Sequence, residues 1–228
     1  MATKSTGTDI VTETDLEAER LIRAVLTRHA PGSRVLAEEG GHTTAGSGPH
    51  GDVEWVVDPL DGTVNFAYRI PIVAVSVAAV VGGRVIAGAV VDVHRDETFS
   101  AQVGGGATLG DRAIVANRCD DPAMALVVTG FSYRSDLRRR HGRTIAELVG
   151  VVRDVRGFGS AALHLCWVAC GRVDVYVECD IKPWDYAAGS LIATEAGADV
   201  ELPCIENDGL VLATNPVLRS SLRPMLTW

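Results

Sequence analysis

The sequence predicts a mixed α/β protein that folds as one domain made of two tightly joined lobes. The chain has 228 residues, of which 47% are hydrophobic, and this is enough to bury a sizeable core. Runs of apolar, β-branched residues that end at glycine turns predict strands, and apolar residues at helical spacing predict helices between them. We expect an N-terminal lobe of about 1–118 and a C-terminal lobe of about 119–228.

The first 52 residues are predicted to form one helix and one short strand before a loop. Thr14-Asp15-Leu16-Glu17 has the spacing of a capping box, so we expect a helix from about Thr14 until Pro31-Gly32 stops the apolar pattern. Residues 34–37 predict a strand that runs into Glu38-Glu39. The segment 40–52 is rich in glycine, threonine and serine, which predicts a mobile surface loop that could cover Glu38 as a lid.

The remaining elements alternate between strands and helices. Two apolar runs, 72–81 and 84–92, flank Gly82-Gly83 and predict a hairpin of buried strands, which a third strand at 97–103 extends. Further along the chain, the pattern predicts a strand at 125–129, a helix at 137–152, a helix at 161–170 stopped by Gly171, a strand at 173–178 and a helix from 183 to about 196.

The apolar run Trp55-Val56-Val57 predicts a buried strand that ends at Val57, and two carboxylates follow it in the string Asp58-Pro59-Leu60-Asp61-Gly62-Thr63. Pro59 fixes its own φ and Gly62 lets the backbone come close to a ligand, so both Asp side chains can face one point. Oxygen ligands of this kind suit a hard cation such as Mg²⁺, and the Leu60 carbonyl could add another. The alternative is an ordinary turn with solvated Asp side chains.

This string resembles the D-P-[IL]-D-G-T-x-N-F signature of the inositol monophosphatase family, a group of Mg²⁺-dependent phosphatases. Glu38 lies in a segment similar to the family's [GA]-E-E-[SG] element, and residues 184–189 resemble its W-D-x-A-A-G motif. Segment 4–15 resembles K-x(4)-D-x-V-T-x-x-D, and 156–165 resembles R-x-x-G-S-A-A-x-x-L. The resemblance implies the family's alternating α-β-α-β-α sandwich, a homodimer and inhibition by Li⁺.

The resemblance also implies a metal site with two or three Mg²⁺ ions. In the family's pattern, Glu38, Asp58 and the Leu60 carbonyl hold one ion. Asp58, Asp61 and Asp185 hold a second. Asp185 could instead be a helix-start acid that complements the helix dipole, because it stands close to Pro183.

The family's catalytic and substrate-binding roles fall on a further set of residues. Thr63 and Glu38, helped by Asp15, would position and deprotonate the attacking water, and Lys4 would approach the site as an accessory group. Asp15 has the same alternative role as Asp185, that of a first-turn helix acid. The expected substrate contacts are Asp61, Gly62, Thr63, Ser160, Ala161, Glu178 and Asp185.

Glu178 bears on the choice of substrate, because it stands where the family has a Glu that bonds a substrate hydroxyl. This favours inositol 1-phosphate or a similar polyol phosphate. Relatives that hydrolyse histidinol phosphate, fructose 1,6-bisphosphate or 3′-phosphoadenosine phosphates, and a biosynthetic sugar or aminocyclitol phosphatase, remain alternatives. A non-catalytic binding or regulatory protein would be marked by a lost ligand, but the sequence keeps Glu38, Asp58, Asp61, Thr63 and Asp185.

The composition of the chain indicates which binding partners and which cellular compartment to expect. The net charge of −8 argues against a nucleic-acid partner, and the basic run at 138–143 is typical of a solvated helix face. No apolar run is long enough to cross a bilayer and the start has no signal-peptide pattern, so we expect no membrane contact and a cytoplasmic location. The five cysteines form no C-x-x-C pair, which favours reduced thiols.

Overall fold

Two β-sheets form the framework of the computed structural model, which describes residues 2–3, 10–43, 48–204, 207 and 209–227. A short ribbon of β1 (Ala2–Thr3) and β2 (Ile10–Val11) precedes helix α1 (Glu13–His29). The larger sheet then contains β3 (Arg34–Ala37), β4 (Gly41–His42), β5 (Val53–Asp61), β6 (Ala74–Val81), β7 (Arg84–Asp92), β8 (Glu97–Gln102), β9 (Ala107–Leu109) and β10 (Arg112–Ile114). Its spatial order is β10-β9-β8-β7-β6-β5-β3-β4. Among the described strand pairs of this sheet, β3–β5 alone is parallel.

The smaller sheet is built from the C-terminal half of the chain. It contains β11 (Leu126–Thr129), β12 (Asp154–Arg156), β13 (Val175–Cys179), β14 (Asp199–Glu201) and β15 (Leu210–Thr214). The order is β12-β11-β13-β15-β14, and β12, β11 and β13 run parallel. The carboxyl ends of these three strands therefore meet at one edge, which is where open α/β sheets bind ligands.

The helices alternate with the sheets in five layers. They are α1, α2 (Thr63–Ala67), α3 (Ser135–Leu148), α4 (Ala161–Ala169), α5 (Pro183–Glu195) and α6 (Pro216–Leu222), with 3₁₀ helices at Pro122–Met124 and Arg223–Met225. Helix α1 packs Ile22 and Leu26 on the outer face of the larger sheet. Helices α4 and α5 lie between the sheets. Leu148 of α3 and Leu218 of α6 cover the outer face of the smaller sheet. This confirms the predicted α-β-α-β-α sandwich.

Small residues allow α5 to lie close to both of its neighbours. A Cβ at Gly189 would be 2.7 Å from Leu165 of α4, and a Cβ at Gly88 of β7 would be 2.9 Å from Ala188 Cα. The Ala-Ala-Gly run therefore packs α5 against α4 and β7. At the start of α5, the Ser76 hydroxyl donates to the Trp184 carbonyl at 3.3 Å and fixes this helix to β6.

The structure corrects three local predictions near the N-terminus. The capping box of α1 is formed by Thr12 and Asp15, two residues earlier than the predicted box, because the Thr12 side chain accepts from Asp15 N and the Asp15 carboxylate accepts from Thr12 N. Segment 40–52 is not wholly loop, since β4 pairs with β3. Residues 44–47 lie outside the described ranges, so the lid stays a prediction. Strand β5 does not end at Val57, because its pairing with β6 continues to Asp61.

The arginines of the basic run on α3 are exposed, as predicted, and His141 is the member that is buried. His141 is only 1% exposed, and burial, followed by the charges of Arg140 and Arg138, lowers its pKa against the opposing effect of Asp180. Arg138 donates to the Ser132 carbonyl at 3.0 Å. His141 therefore packs into the protein, while the arginines of the run face solvent. In the described ranges, no helix is long and apolar enough to cross a membrane.

Candidate active site

The two Asp residues of the central motif share one face of β5 because the strand contains a bulge. Asp58 pairs with Ser76 and Asp61 pairs with Ala74, so three steps along β5 match two along β6. In a regular strand, residues three apart point to opposite faces, and the extra residue of a bulge restores the same face. Both side chains are buried, at 2% and 8% exposure, and the Asp58 carboxylate accepts from Leu60 N at 3.0 Å.

Glu38 follows β3, the parallel neighbour of β5, and its amide donates to the Val57 carbonyl at 3.3 Å. The turn after it is held from α1. The buried Glu19 carboxylate accepts from Glu39 N at 2.9 Å and from Gly40 N at 3.0 Å. Arg23 forms an ion pair with Glu19 at 2.7 Å. Sequence reasoning missed Glu19 as a positioning residue, and its i,i+4 spacing to Arg23 was the one available signal.

Asp185 reaches the same region from α5, which lies between the two sheets. It is the third residue of α5, and its carboxylate accepts from Lys182 N in a capping interaction. The helix start is fixed beside β6 by the bond between Ser76 and Trp184 described above. Asp185 therefore caps α5 and also lies beside the other acids, and its role as a metal ligand stays a prediction.

Electrostatic interactions join the four acids. Burial raises the pKa of Asp58 well above its usual value, and the charges of Glu38, Asp61 and Asp185 raise this pKa further. Burial also raises the pKa of Asp185, and Asp61 and Glu38 add to this effect against the lowering effect of the Lys182 amide. A buried group of like charges of this kind is stable only when protons or cations neutralise it.

The donor atoms fit Mg²⁺, because they are carboxylate and carbonyl oxygens and the local charge is strongly negative. The acidic side chains are, however, too widely spaced to surround an ion in this conformation. Among the described residues, no three carboxylate, imidazole or thiol side chains stand close enough together to enclose a metal ion. Glu38, Asp58, Asp61 and Asp185, with the Leu60 carbonyl, therefore remain the predicted ligands, and we expect their side chains to turn inwards when they hold an ion.

Asp61 is anchored to the start of α4. Its Oδ2 accepts from the Ser160 hydroxyl at 2.6 Å and from Ala162 N at 2.8 Å. Burial raises the pKa of Asp61 to about 6, although the bonds from Ser160, Ala162 and Ala161 oppose the rise. Ser160 also caps α4 by accepting from Leu163 N at 3.3 Å. Its hydroxyl thus fixes a carboxylate of β5 to the start of α4, and the substrate contacts of Ser160 and Ala161 stay predictions.

Thr63 and Asp15 meet next to the bulge. The Thr63 hydroxyl lies 3.1 Å from Asp15 Oδ1 and 3.1 Å from the Leu60 carbonyl oxygen. Asp15 is fully buried at the start of α1. Gly62 precedes α2 with φ 97°, and a Cβ there would lie 2.9 Å from the Ile72 carbonyl, so this position requires glycine. Lys4, the predicted accessory residue, lies outside the described residues.

Glu178 is buried on β13 between the two sheets. Burial raises its pKa to about 8, the Tyr176 hydroxyl lowers this pKa and the charge of Asp61 raises it. Glu178 also raises the pKa of Asp185. Glu178 is therefore a near neighbour of the acidic group, as a substrate-binding residue would have to be.

The raised pKa values predict how the stability of the metal-free protein depends on pH. Asp58, Asp61, Asp185 and Glu178 hold protons more tightly in the folded than in the unfolded chain. Their contribution to stability is complete below the unfolded pKa values and is lost as the pH rises through the folded values. We expect the melting temperature in EDTA to fall by at least about 5 °C from about pH 5 to about pH 8. Calorimetry would measure it, and a flat profile would contradict the burial of these acids.

Known proteins match this chain over nearly its whole length. The family model described as "Inositol monophosphatase family" matches residues 1–224. The inositol-1-monophosphatase of Mycobacterium leprae is 47% identical over 228 residues, covering 96% of this chain and 78% of that protein. The crystal structure of the extragenic suppressor protein SuhB from Bartonella henselae matches with a TM-score of 0.92 at 30% identity, covering 99% of this chain and 87% of the other.

Other relatives carry a different name. The Nus factor SuhB of Pasteurella multocida is 41% identical over 207 residues, covering 90% of this chain and 75% of that protein. The family is generally metal-dependent. On the family match and the named relatives, this chain belongs to the inositol monophosphatase family and is a phosphatase, a hydrolase of phosphoric monoesters.

Proposed function

We propose that the chain is a Mg²⁺-dependent phosphomonoesterase that releases phosphate from inositol 1-phosphate or a similar polyol phosphate. The observation that carries the proposal is the group of four interacting acids beside the Thr63–Asp15 pair. Glu38, Asp58, Asp61 and Asp185, with the Leu60 carbonyl, would hold two or three ions. Bound there, Mg²⁺ would neutralise phosphate charge and lower the pKa of the attacking water.

The protein's own groups would orient the water and remove its proton. A hydroxyl has one proton and can accept another, so Thr63 Oγ1 could take a proton from the water while it gives its own to Asp15 Oδ1. The backbone N–H groups of Gly62 and Thr63 would bind the phosphate. The products are the free alcohol and inorganic phosphate, with no covalent phosphoenzyme.

The alcohol part of the substrate would lie beside Glu178. A carboxyl group accepts hydrogen bonds from hydroxyl groups whether it is ionised or protonated, so a buried Glu favours a polyol over a substrate that offers no hydroxyl there. The name of the M. leprae relative, at 47% identity, supports inositol 1-phosphate as the first choice. Histidinol phosphate, fructose 1,6-bisphosphate, 3′-phosphoadenosine phosphates and biosynthetic sugar or aminocyclitol phosphates are the alternatives.

Phosphate release from a substrate panel tests the proposal. With Mg²⁺ present, we expect kcat/KM for inositol 1-phosphate to exceed the values for histidinol phosphate, fructose 1,6-bisphosphate and 3′-phosphoadenosine 5′-phosphate by at least about tenfold, a difference of about 1.4 kcal/mol in transition-state binding. EDTA should abolish release and Li⁺ should inhibit it. A stronger preference for another compound would identify one of the alternative phosphatases instead.

The second candidate function is a non-catalytic regulatory role. It is suggested by the relatives that are named Nus factor SuhB. The complete set of acids supports catalysis, since a purely regulatory protein has no need of a buried group of like charges. Family membership also supports a homodimer and a cytoplasmic location. Sedimentation of the purified chain would test the dimer, and a monomer that is fully active would exclude it as a requirement.

A further inference from the structure

The Glu178 carboxylate occupies a space that only glycine at position 130 leaves free. Gly130 directly follows β11, and a Cβ built there would lie 2.1 Å from Glu178 Oε1 and 2.3 Å from Oε2. Its φ is not positive, so the backbone conformation does not require glycine. The requirement comes from space alone, and even a methyl group at position 130 would push the carboxylate away.

Tyr176 holds the same carboxylate from a second side. It lies two residues before Glu178 on β13, so both side chains point to the same face of the sheet. The Tyr176 hydroxyl donates to Glu178 Oε2 at 3.1 Å, and its side chain is fully buried. The ring packs against His164, with centroids 5.3 Å apart. His164 is itself fixed, because its Nε2 accepts from Phe158 N at 3.3 Å.

Glu178 therefore has little freedom to move, although it is a long side chain with several rotatable bonds. Its Oε2 accepts from Tyr176, both of its oxygens lie over Gly130, and the charge of Asp61 also acts on the group. A carboxyl group held in this way can present its remaining lone pairs in a fixed direction. Fixed acceptors distinguish substrates strongly, because a ligand without the matching hydroxyl leaves a buried polar group unpaired.

We propose that Gly130 and Tyr176 are positioning residues that set the Glu178 carboxylate to accept hydrogen bonds from substrate hydroxyls, and so determine selectivity for phosphates of polyhydroxylated alcohols. The inference rests on the proposed function, in which Glu178 contacts the alcohol part of the substrate. It adds two residues that contact Glu178 directly, although the charges of Asp185 and Asp61 also act on Tyr176.

The test compares a polyol phosphate with a phosphate that has no hydroxyl groups. We would measure kcat and KM with saturating Mg²⁺ for inositol 1-phosphate and phenyl phosphate, using Tyr176→Phe and Gly130→Ala. The ratio of kcat/KM for the two substrates should fall about tenfold in Tyr176→Phe and about a hundredfold in Gly130→Ala, mainly through KM for inositol 1-phosphate. Hydrolysis of phenyl phosphate should be unchanged.

Two matched variants control for the chemical change itself. Tyr68→Phe removes a hydroxyl from a side chain that is 76% exposed, and Gly142→Ala adds a methyl group to α3 where it meets nothing within 4 Å. Both should keep the wild-type ratio. A folded Tyr176→Phe protein with an unchanged ratio, or with equal losses on both substrates, would overturn the inference. If the wild-type protein hydrolyses phenyl phosphate but not inositol 1-phosphate, the proposed substrate fails, and the inference fails with it.

Discussion

Replacing Asp185 with asparagine is expected to lower kcat/KM on the order of a thousandfold while raising the melting temperature of the metal-free protein. A cation bound at the phosphate contributes several kcal/mol to the transition state, and each 1.36 kcal/mol is a factor of ten in rate. The amide oxygen of asparagine can still accept from Lys182 N and cap α5. The charge that Asp61 and Glu38 repel would be gone, so the apo protein should gain a few degrees.

Asp136→Asn is the matched control, because Asp136 also lies in the first turn of a helix, α3, but is exposed and pairs with Arg134 at 3.0 Å. This variant should keep full activity and the wild-type response of the melting temperature to Mg²⁺. In Asp185→Asn the stabilisation by Mg²⁺ should be largely lost. Retained turnover in Asp185→Asn, measured as phosphate release, would show that this residue does not hold the metal.

The residues of the candidate site could be predicted because most of them lie in short sequence motifs. Asp58 and Asp61 lie three residues apart, and Glu38 and Asp185 each stand next to a strand end or helix start with its own local signal. The bulge in β5 could not be predicted from the string, since register depends on the pairing with β6. It is this pairing that turns both Asp side chains to one face.

The residues that hold the site residues in place could not be predicted from the sequence, because they come from distant parts of the chain. Glu19 bonds the turn after Glu38 from 20 residues away, and the Ser160 hydroxyl reaches Asp61 across 99 residues. Gly130 and Glu178 are brought together by two neighbouring parallel strands. No periodicity in a single sequence encodes such pairs, because their contact depends on which strands become neighbours.

Several short elements also escaped prediction. Strands β9, β10 and β14 have three residues each, too few to express an alternating pattern. Helix α6 did have a signal, since Asn215 caps it by accepting from Val217 N and Leu218 N, and Pro216 is its first residue. The five-layer arrangement was nevertheless correct, because the long strands and the helices that cover them determine it.

The contact between Thr63 and Asp15 leads to the second large expected effect. If the pair moves a proton as one unit, removing either partner should cost nearly as much as removing both. A structural role would behave differently. Thr194 is the control for a threonine hydroxyl with a purely structural role. It donates to the Ser190 carbonyl at 2.8 Å within α5.

Thr63→Val is therefore expected to lower kcat by about a hundredfold to a thousandfold, which lies within the contribution typical of general acid–base groups, with little change in KM. Asp15→Asn should lose a similar factor, and the double variant should lose no more than about the larger single loss. Thr194→Val should stay close to the wild-type rate, because its hydroxyl serves only the helix. Steady-state phosphate release at saturating Mg²⁺ measures all four variants. Losses that multiply in the double variant would mean that Thr63 and Asp15 act independently, and an unaffected Thr63→Val rate would remove this hydroxyl from the reaction.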